Sequence, residues 1–252
     1  MNNKKIFSSK EYDNWLYRDG LLPEEKGIIL KFLEKDKSTL EAGTASGRIL
    51  FEMNKLGFNK LSGYDFISEY INAAQKINTE AKINFSVQDA TKLDFKNESF
   101  NQLIYLQQII STIEEHEMRI RALKESYRIL EKGGTAIFSF LSFESKQKDR
   151  LYKLISPIIK FFRYFKSNKM SEQYIPWLKY TGKINFKALF DVGPYNYWYR
   201  IDEIINLLRE TGFDIVYCGF PEDIINQREL DVNRISSINS NKGHLYIVCK
   251  KI

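Results

Sequence analysis

The hydrophobic positions between residues 38 and 141 form short apolar runs that alternate with stretches of helical periodicity. This alternation is typical of a parallel sheet covered by helices. We predict five strands at 38–41, 60–65, 83–88, 101–106 and 135–141. We predict helices between them at 47–55, 67–77 and 115–130. The last of these helices runs into Gly133 and Gly134, and glycine readily adopts the left-handed conformation that ends a helix.

The segments on either side of this region extend the pattern. Pro23 is followed by two glutamates, which predicts a helix over 23–33, because proline has no N–H to lose at a helix start. Residues 200–211 are apolar at helical spacing and precede Gly212, which predicts another helix. Strand-like segments follow at 213–220 and 244–250. The predicted fold class is therefore α/β, with a doubly wound, mostly parallel sheet of seven strands.

The composition is that of a globular protein. The chain has 252 residues, of which 43% are hydrophobic and 28% charged, and these values argue against a disordered or fibrous chain. No apolar run approaches the ~18 residues of a membrane span, and residues 1–5 lack the apolar stretch of a signal peptide, so we expect a cytoplasmic location. With only two cysteines and two histidines, we expect neither a disulfide framework nor a metal site.

Basic and aromatic residues concentrate in one segment. Residues 143–199 contain eleven Lys and Arg residues against four acidic ones, so this segment carries +7 while the whole chain carries +6. The same segment contains 15 of the 36 aromatic residues. This shift predicts a basic, aromatic lid inserted between core segments 38–142 and 200–252, with an N-terminal helical cap at 1–37.

A glycine-containing turn links the first predicted strand to the next helix, with the sequence Leu40-Glu41-Ala42-Gly43-Thr44-Ala45-Ser46-Gly47-Arg48. Open α/β sheets bind ligands at such junctions. Gly43 and Gly47 leave room for the backbone to turn and for a ligand to approach, and Asp65 ends the second strand 18 residues after Gly47. A carboxylate there suits the two hydroxyls of a ribose, so the segment fits either a dinucleotide or a nucleoside.

The spacing of the glycines distinguishes between these two kinds of ligand. A dinucleotide site has the pattern Gly-x-Gly-x-x-Gly, which leaves room for a pyrophosphate, whereas here Gly43 and Gly47 flank Ala45. Glu41 lies two residues before Gly43, where a carboxylate would repel a pyrophosphate and attract an ammonium group. The ligand implied is a nucleoside that carries an amino acid, a description that fits S-adenosylmethionine.

These residues resemble the class I S-adenosylmethionine-dependent methyltransferases, a Rossmann-like family, and we expect the small-molecule type. The segment Glu41-x-Gly43-x-x-x-Gly47 is similar to the family's first motif, with Ala45 in place of its usual central glycine. Asp65 matches the acid that holds the ribose hydroxyls in the family.

Later segments continue the resemblance in the family's order. Residues 88–90 look like the adenine contact, and residues 99–105 resemble the fourth strand, with Asn101 where Asp is usual. Residues 127–134 resemble the turn Arg-x-Leu-x-Pro-Gly-Gly, with Lys132 in place of proline, and Gly212-Phe213 before the late strand is also typical. The resemblance covers residues 36–142 and 200–250. It implies that the cofactor is bound by Glu41, Gly43, Thr44, Ala45, Gly47, Asp65, Phe66, Asp89, Ala90 and Leu106.

The sequence does not identify the methyl acceptor. After the fourth strand, where the family places its acceptor, Gln107 and Gln108 can orient a polar group but cannot act as bases at neutral pH. The segment lacks the Asn/Asp-Pro-Pro-Tyr motif of similar enzymes that methylate amide or base nitrogens, and it has no cysteine. We expect in-line transfer to an oxygen or nitrogen atom of a small molecule, with His116 and Tyr197 as candidate bases.

The insertion supplies further candidate acceptor contacts. Aromatic loops over the end of a sheet form an apolar pocket with hydroxyl handles. The predicted substrate-binding residues are Gln107, Gln108, Trp177, Tyr195, Tyr197 and Trp198.

Residues 150–166 predict an amphipathic helix that Pro157 should kink or split. Four cations share one face of the helical wheel: Arg150, Lys153, Lys160 and Arg163. This helix could be a lid or dimer helix, a surface for an anionic acceptor, or a membrane-surface helix that reaches a lipid-linked or glycan acceptor. Nucleic acid is not expected, because no RNA-binding module accompanies the basic residues.

Other functions of the whole chain remain open. It could be a non-catalytic partner subunit that keeps the methyltransferase fold, since Ala45 and Asn101 depart from the common pattern. Tight binding of a nicotinamide dinucleotide would favour a dehydrogenase. We expect a monomer or a homodimer.

Overall fold

A computed structural model describes residues 19–79, 82–166, 170–180, 183–228 and 243–252. Its strands are β1 (Thr39–Ala42), β2 (Leu61–Asp65), β3 (Asn84–Val87), β4 (Phe100–Tyr105), β5 (Leu130–Leu141), β6 (Tyr174–Pro176), β7 (Lys179–Tyr180), β8 (Lys183–Ile184), β9 (Tyr195–Tyr197), β10 (Phe213–Gly219) and β11 (His244–Lys251). Seven of them form one sheet in the order β10-β11-β5-β4-β1-β2-β3. Only β11 runs antiparallel to its neighbours in this sheet, so the predicted fold class is confirmed.

Helices cover this sheet. They are α1 (Pro23–Phe32), α2 (Arg48–Lys55), α3 (Ser68–Ile77), α4 (Ile109–Thr112), α5 (His116–Ile129), α6 (Phe143–Lys148), α7 (Arg150–Phe165), α8 (Ile201–Thr211) and α9 (Pro221–Ile225), with a 3₁₀ helix at Phe186–Phe190. The predicted helix starts have local causes. The Glu25 carboxylate accepts the N–H of Leu22 before α1 at 2.9 Å, and Asp149 accepts the N–H of Leu151 at the start of α7 at 2.8 Å.

The central strands are buried on both faces, which explains their near-continuous apolar sequence. On β5, Phe138 packs into one hydrophobic cluster with Leu123 of α5 and Ile204 of α8. Its neighbour Ile137 packs on the other face with residues of α1 and α2, including Ile28. The sheet therefore lies between two layers of helices.

One predicted helix end is wrong, and of the two effects predicted for Pro157, a kink or a split, the split does not occur. The helix before β5 ends at Ile129 without a glycine cap, because Leu130 is already extended and pairs with Phe100 of β4. Gly133 does have a left-handed φ of 74°, but it lies within β5. Pro157 does not split α7, which continues as one helix from Arg150 to Phe165.

The segment between β5 and α8 contains α6, α7, two short β-pairings and the 3₁₀ helix. Strands β6 and β9 pair antiparallel, and β7 pairs with β8. A third apolar cluster lies here, made of Phe143, Tyr152, Ile155, Ile159 and Ile175. Of the predicted N-terminal cap at 1–37, residues 1–18 lie outside the described part of the chain.

Candidate functional site

The predicted site residues of β1, β2 and β4 meet where the order of strands reverses. β1 lies between β2 and β4, so the chain leaves β1 toward one edge of the sheet and returns from β3 to the other side. Open α/β sheets bind ligands in the crevice at the carboxyl ends of such strands. Three loops emerge there: the turn at 43–47, the segment after Asp65, and Gln107 with Gln108.

The turn after β1 adopts an unusual backbone. Gly43, Ala45 and Gly47 have φ angles of 62°, 47° and 87°. Glycine adopts such angles without steric cost, whereas alanine is strained there by about 1–2 kcal/mol. Ala45 therefore takes the conformation that a glycine would have. The presence of alanine instead of glycine at this position leaves the shape of the turn intact.

Side chains crowd the two glycines of this turn. A Cβ atom at Gly43 would lie 2.2 Å from Cδ1 of Ile109, and one at Gly47 would lie 2.8 Å from ring atoms of Phe51 and Phe85. A larger residue at either glycine would displace α4 or the ring pair. The backbone of the turn therefore lies close to the side chains of Ile109, Phe51 and Phe85.

Asp65 ties the end of β2 to this turn. One carboxylate oxygen accepts the N–H of Ala45 and the other accepts the N–H of Ile67, each at 3.0 Å. The side chain is buried, and burial raises the pKa of Asp65 to about 6 against these hydrogen bonds. Helix capping does not explain Asp65, because the N-cap of α3 is Ile67. The backbone N–H of Phe66 also donates to this carboxylate, so three of its four lone pairs are occupied and one remains to accept a hydroxyl.

Glu41 lies in β1 under the same turn. Its carboxylate accepts the Thr44 hydroxyl at 2.6 Å, and complete burial raises the pKa of Glu41 to about 8. A carboxyl group in such surroundings holds its proton at neutral pH unless a cation approaches. An ammonium group bound beside Glu41 would therefore lower the pKa of this carboxyl group and favour its ionised form.

A buried network behind the turn was not predicted from the sequence. Arg48, the first residue of α2, donates to both oxygens of Glu25 at 2.7 and 2.8 Å and to the Gly20 carbonyl at 2.6 Å. The Gln107 amide also donates to Glu25. This network fixes α1 against the loops after β1 and β4. In the sequence, the only indication of this network is the position of Arg48 directly after Gly47.

Gln107 and Gln108 form a strained link between β4 and α4. Their φ angles are 55° and 59°, two consecutive left-handed residues that are not glycine, and such strain clusters at functional sites. The N–H of Gln108 donates to the Ser139 hydroxyl at 3.0 Å, and its side-chain amide lies 2.7 Å from Nδ1 of His244. His244 is another residue that the sequence analysis missed. Leu106, just before them, is buried.

The predicted adenine contacts follow β3. Asp89 is exposed, and one of its oxygens accepts both the N–H and the hydroxyl of Thr91 at 2.8 Å, which shapes the loop. Ala90 and Phe66 are half-buried beside their strands.

The predicted acceptor residues of the insertion make contacts within the protein. The Tyr197 ring covers the guanidinium of Arg119, with Cζ 3.9 Å from the ring centroid, and its hydroxyl donates to Glu203 at 2.7 Å. Burial also raises the pKa of Tyr197. The Tyr195 hydroxyl donates to the Asp191 carbonyl at 2.8 Å.

The two predicted tryptophans are half-buried in the same segment. Trp177 donates its backbone N–H to the Pro194 carbonyl at 2.8 Å, and the Trp198 ring lies 5.1 Å from Nζ of Lys146. The other candidate base, His116, is exposed at the first residue of α5.

Two further sequence features have other roles. Asn101, the departure in the fourth strand, lies near the start of β4, where it bonds Ser38 and Glu131, at the opposite end from the switch point. Arg163 was predicted on an exposed basic face, but it is buried and paired with Asp191 at 2.6 Å.

The described residues contain no group of three His, Cys, Asp or Glu side chains that could hold a metal.

Known proteins share this architecture. Residues 40–138 match a family model described as a methyltransferase domain. A SAM-dependent methyltransferase from Methanosarcina mazei is 22% identical, with a TM-score of 0.65 over 93% of this chain and 99% of that chain. Magnesium protoporphyrin IX methyltransferase from Synechocystis, solved with bound SAH, is 14% identical, with a TM-score of 0.57 over 98% of this chain and 97% of that one. The 4+2 cyclase SpnF is 12% identical, with a TM-score of 0.56 over 90% and 81%.

No curated protein sequence matches the chain. The family match and the shared fold confirm the predicted resemblance to the class I, Rossmann-like methyltransferases.

Proposed function

We propose that this protein, whose core has the class I methyltransferase fold, transfers a methyl group from S-adenosylmethionine to an oxygen or nitrogen atom of a small-molecule acceptor. The observation that carries the proposal is the bond between Asp65 and the N–H of Ala45. It joins the left-handed turn after β1 to an acid at the end of β2, at the switch point of the sheet.

The residues at the switch point fit S-adenosylmethionine. Asp65 would accept a ribose hydroxyl with its remaining lone pair, and Gly43 and Gly47 allow close approach of the turn. Asp89 and Ala90 would border the adenine, and Leu106 and Phe66 would add apolar contact. Glu41 would face the amino group, whose charge would draw the proton from its carboxyl.

When bound, S-adenosylmethionine supplies an electrophilic methyl group on a sulfonium centre. The chain's own task is to align an acceptor lone pair with the methyl carbon, opposite the sulfur. Gln107 and Gln108 would orient the acceptor, since Glu25 holds the side-chain amide of Gln107 and Ser139 holds the backbone N–H of Gln108. An amine acceptor would enter in its neutral form and lose its proton to solvent after transfer.

The segment at 143–199 would form the acceptor lid. Trp177, Tyr195 and Trp198 are half-buried in it and would add apolar contact area for the acceptor. Tyr197 would support them through its packing on Arg119 rather than react.

The role of Asp65 can be tested by calorimetry. Asp65→Asn keeps the shape of the side chain but removes its charge, and hydrogen bonds to charged groups contribute about 1.5–3 kcal/mol. We therefore expect affinity for S-adenosylmethionine to fall about 10- to 100-fold. Asp214→Asn, an exposed position on β10, is the matched control. An unchanged affinity in folded Asp65→Asn would remove Asp65 from the cofactor site.

A screen of fractionated metabolites with labelled S-adenosylmethionine would identify the acceptor. A second candidate function is chemistry without methyl transfer, because the similar fold of SpnF belongs to a cyclase. Tight cofactor binding with no labelled product from any fraction would favour that candidate, or a non-catalytic partner subunit.

A further inference from the structure

Helix α7 exposes an unusual row of apolar side chains. Five residues spaced three and four positions apart face solvent: Leu151, Leu154, Ile158, Phe161 and Phe165. The exposed fractions of Leu154, Phe161 and Phe165 are 74%, 57% and 67%. This spacing places them on one side of the helix. The opposite side already packs on the lid through Tyr152, Ile155 and Ile159, so the exposed row is additional to the packed face.

The exposed row continues onto the neighbouring 3₁₀ helix. The Phe161 ring contacts Phe162 at 5.5 Å between centroids, and Phe162 contacts Phe190 at 4.9 Å. Phe190 and Phe186 are themselves at least half exposed. We call the five residues of α7 with Phe186 and Phe190 the apolar face. Contiguous exposed apolar surface of this kind marks an interaction site.

The acids near the apolar face are all engaged within the protein. Asp149 pairs with Lys146 and caps α7, Asp191 pairs with Arg163, and Glu172 pairs with Lys160. Glu144 accepts the N–H of Ile201. Three of these four carboxylates are therefore paired with cations and do not neutralise the remaining basic residues.

Three cations of the segment, Lys146, Lys160 and Arg163, take part in these pairs, but most of the others do not. Six of them are exposed and have no acidic partner within the described residues: Arg150, Lys153, Lys166, Lys179, Lys183 and Lys187. Arg150 and Lys153 lie directly beside the apolar row of α7. An apolar face bordered by unpaired positive charge complements a surface with an apolar interior and an anionic border.

We infer that the apolar face docks onto an anionic lipid surface, with α7 lying in the plane of the headgroups. A second copy of the chain is a poorer partner, because a two-fold interface would bring unpaired cations near each other with no acid between them. Nucleic acid would satisfy the cations but would leave the leucine and phenylalanine side chains exposed. Within the described residues no helix is long and apolar enough to cross a membrane, so the contact is peripheral.

Vesicle sedimentation tests the proposal. The whole chain is mixed with vesicles of phosphatidylcholine alone, or of phosphatidylcholine and phosphatidylglycerol in equal parts. We expect binding to the mixed vesicles that weakens as salt increases, and little binding to phosphatidylcholine alone. Binding that is absent from the mixed vesicles at low salt would overturn the proposal.

Two pairs of variants separate the apolar and electrostatic contributions. Leu154→Ser with Phe161→Ser should weaken binding to mixed vesicles by about 100-fold or more, because two large side chains no longer insert. Arg150→Gln with Lys153→Gln should weaken it by about 30-fold. The matched controls, Ile77→Ser with Ile225→Ser and Lys76→Gln with Lys124→Gln, change exposed residues of other helices and should bind like the wild type.

Sedimentation velocity without lipid tests the competing interpretation. We expect the wild type and the Leu154→Ser, Phe161→Ser variant to have the same mass. A wild-type dimer that this variant dissociates would assign the apolar face to self-association and overturn lipid docking. Neither result depends on methyl transfer, so the docking proposal and the proposed function fail or succeed separately.

Discussion

At the scale of single residues, the candidate site contains residues whose backbone is held in strained, left-handed conformations. Ala45 is strained in a left-handed conformation, and its N–H is held by Asp65. Gln107 and Gln108 are strained in the same way, and their side chains are fixed by Glu25 and His244. Strain of this kind persists only where the surrounding contacts over-determine it. A rigid turn therefore exists before any ligand binds.

Glu41 gives a prediction with a definite sign. Burial raises its pKa from 4.5 to about 8, so between these pH values the folded protein keeps a proton that the unfolded chain loses. The free energy of unfolding should then fall by about 1.4 kcal/mol per pH unit across this window. Glu41→Gln removes this loss, so the variant should gain stability over the wild type as pH rises from about 5 to 8 and no further above it.

Urea unfolding of both proteins at a series of pH values measures the difference. Asp65 also titrates in this range, with a raised pKa of about 6, but it is present in both proteins and cancels from the comparison. Glu210→Gln, at an exposed position at the end of α8, is the matched control. A difference between Glu41→Gln and the wild type that stays constant with pH would mean that Glu41 is ionised in the folded protein.

At the scale of elements, the sequence predicted what local patterns determine. Apolar runs bounded by helical periodicity located the seven strands of the sheet, and Asp65 was identified because it is the last residue of a predicted strand. The contributions of Glu25 and His244 could not be predicted, because 82 and 136 residues separate them from Gln107 and Gln108 in the chain. Arg163 was misplaced for a similar reason, since its buried partner Asp191 lies 28 residues away.

At the same scale, Arg119 of α5 connects this helix to the insertion. Its guanidinium donates to the carbonyls of Ile113 and Glu114 and to the Tyr174 hydroxyl at 2.9–3.0 Å, and it lies under the Tyr197 ring. Arg119→Met should therefore destabilise the protein by about 3 kcal/mol, because buried acceptors lose charged donors and the cation–π contact is lost.

Chemical denaturation measures this loss, and Arg121→Met is the matched control because Arg121 is exposed on the same helix. Affinity for S-adenosylmethionine should change little in folded Arg119→Met, since none of the proposed cofactor contacts touches Arg119. Equal stability of the two variants would show that the insertion is held by its other contacts.

At the scale of the whole molecule, the apolar clusters divide the protein unequally. Two clusters sandwich the seven-stranded sheet, whereas a smaller third cluster, which includes Phe143 and Ile155, holds α7 and β6. The insertion joins the core at its base, where Phe143 donates its N–H to the Tyr199 carbonyl and Tyr199 donates to the Leu141 carbonyl, both at 2.8 Å. A unit with a small core and a narrow base can open without unfolding the sheet.

Hydrogen exchange read by mass spectrometry should therefore show two levels of protection. Amides of α7 and β6 should exchange through an opening of lower free energy than amides of β4 and β5, which are buried between both sheet clusters. S-adenosylmethionine should add protection at residues 43–47, 65–67 and 107–108, because the proposed contacts lie there, and should leave α7 unchanged. If α7 and β5 exchanged with the same free energy, the insertion and the core would be one cooperative unit. The proposed lid at residues 143–199 would then admit the proposed acceptor only by side-chain movement.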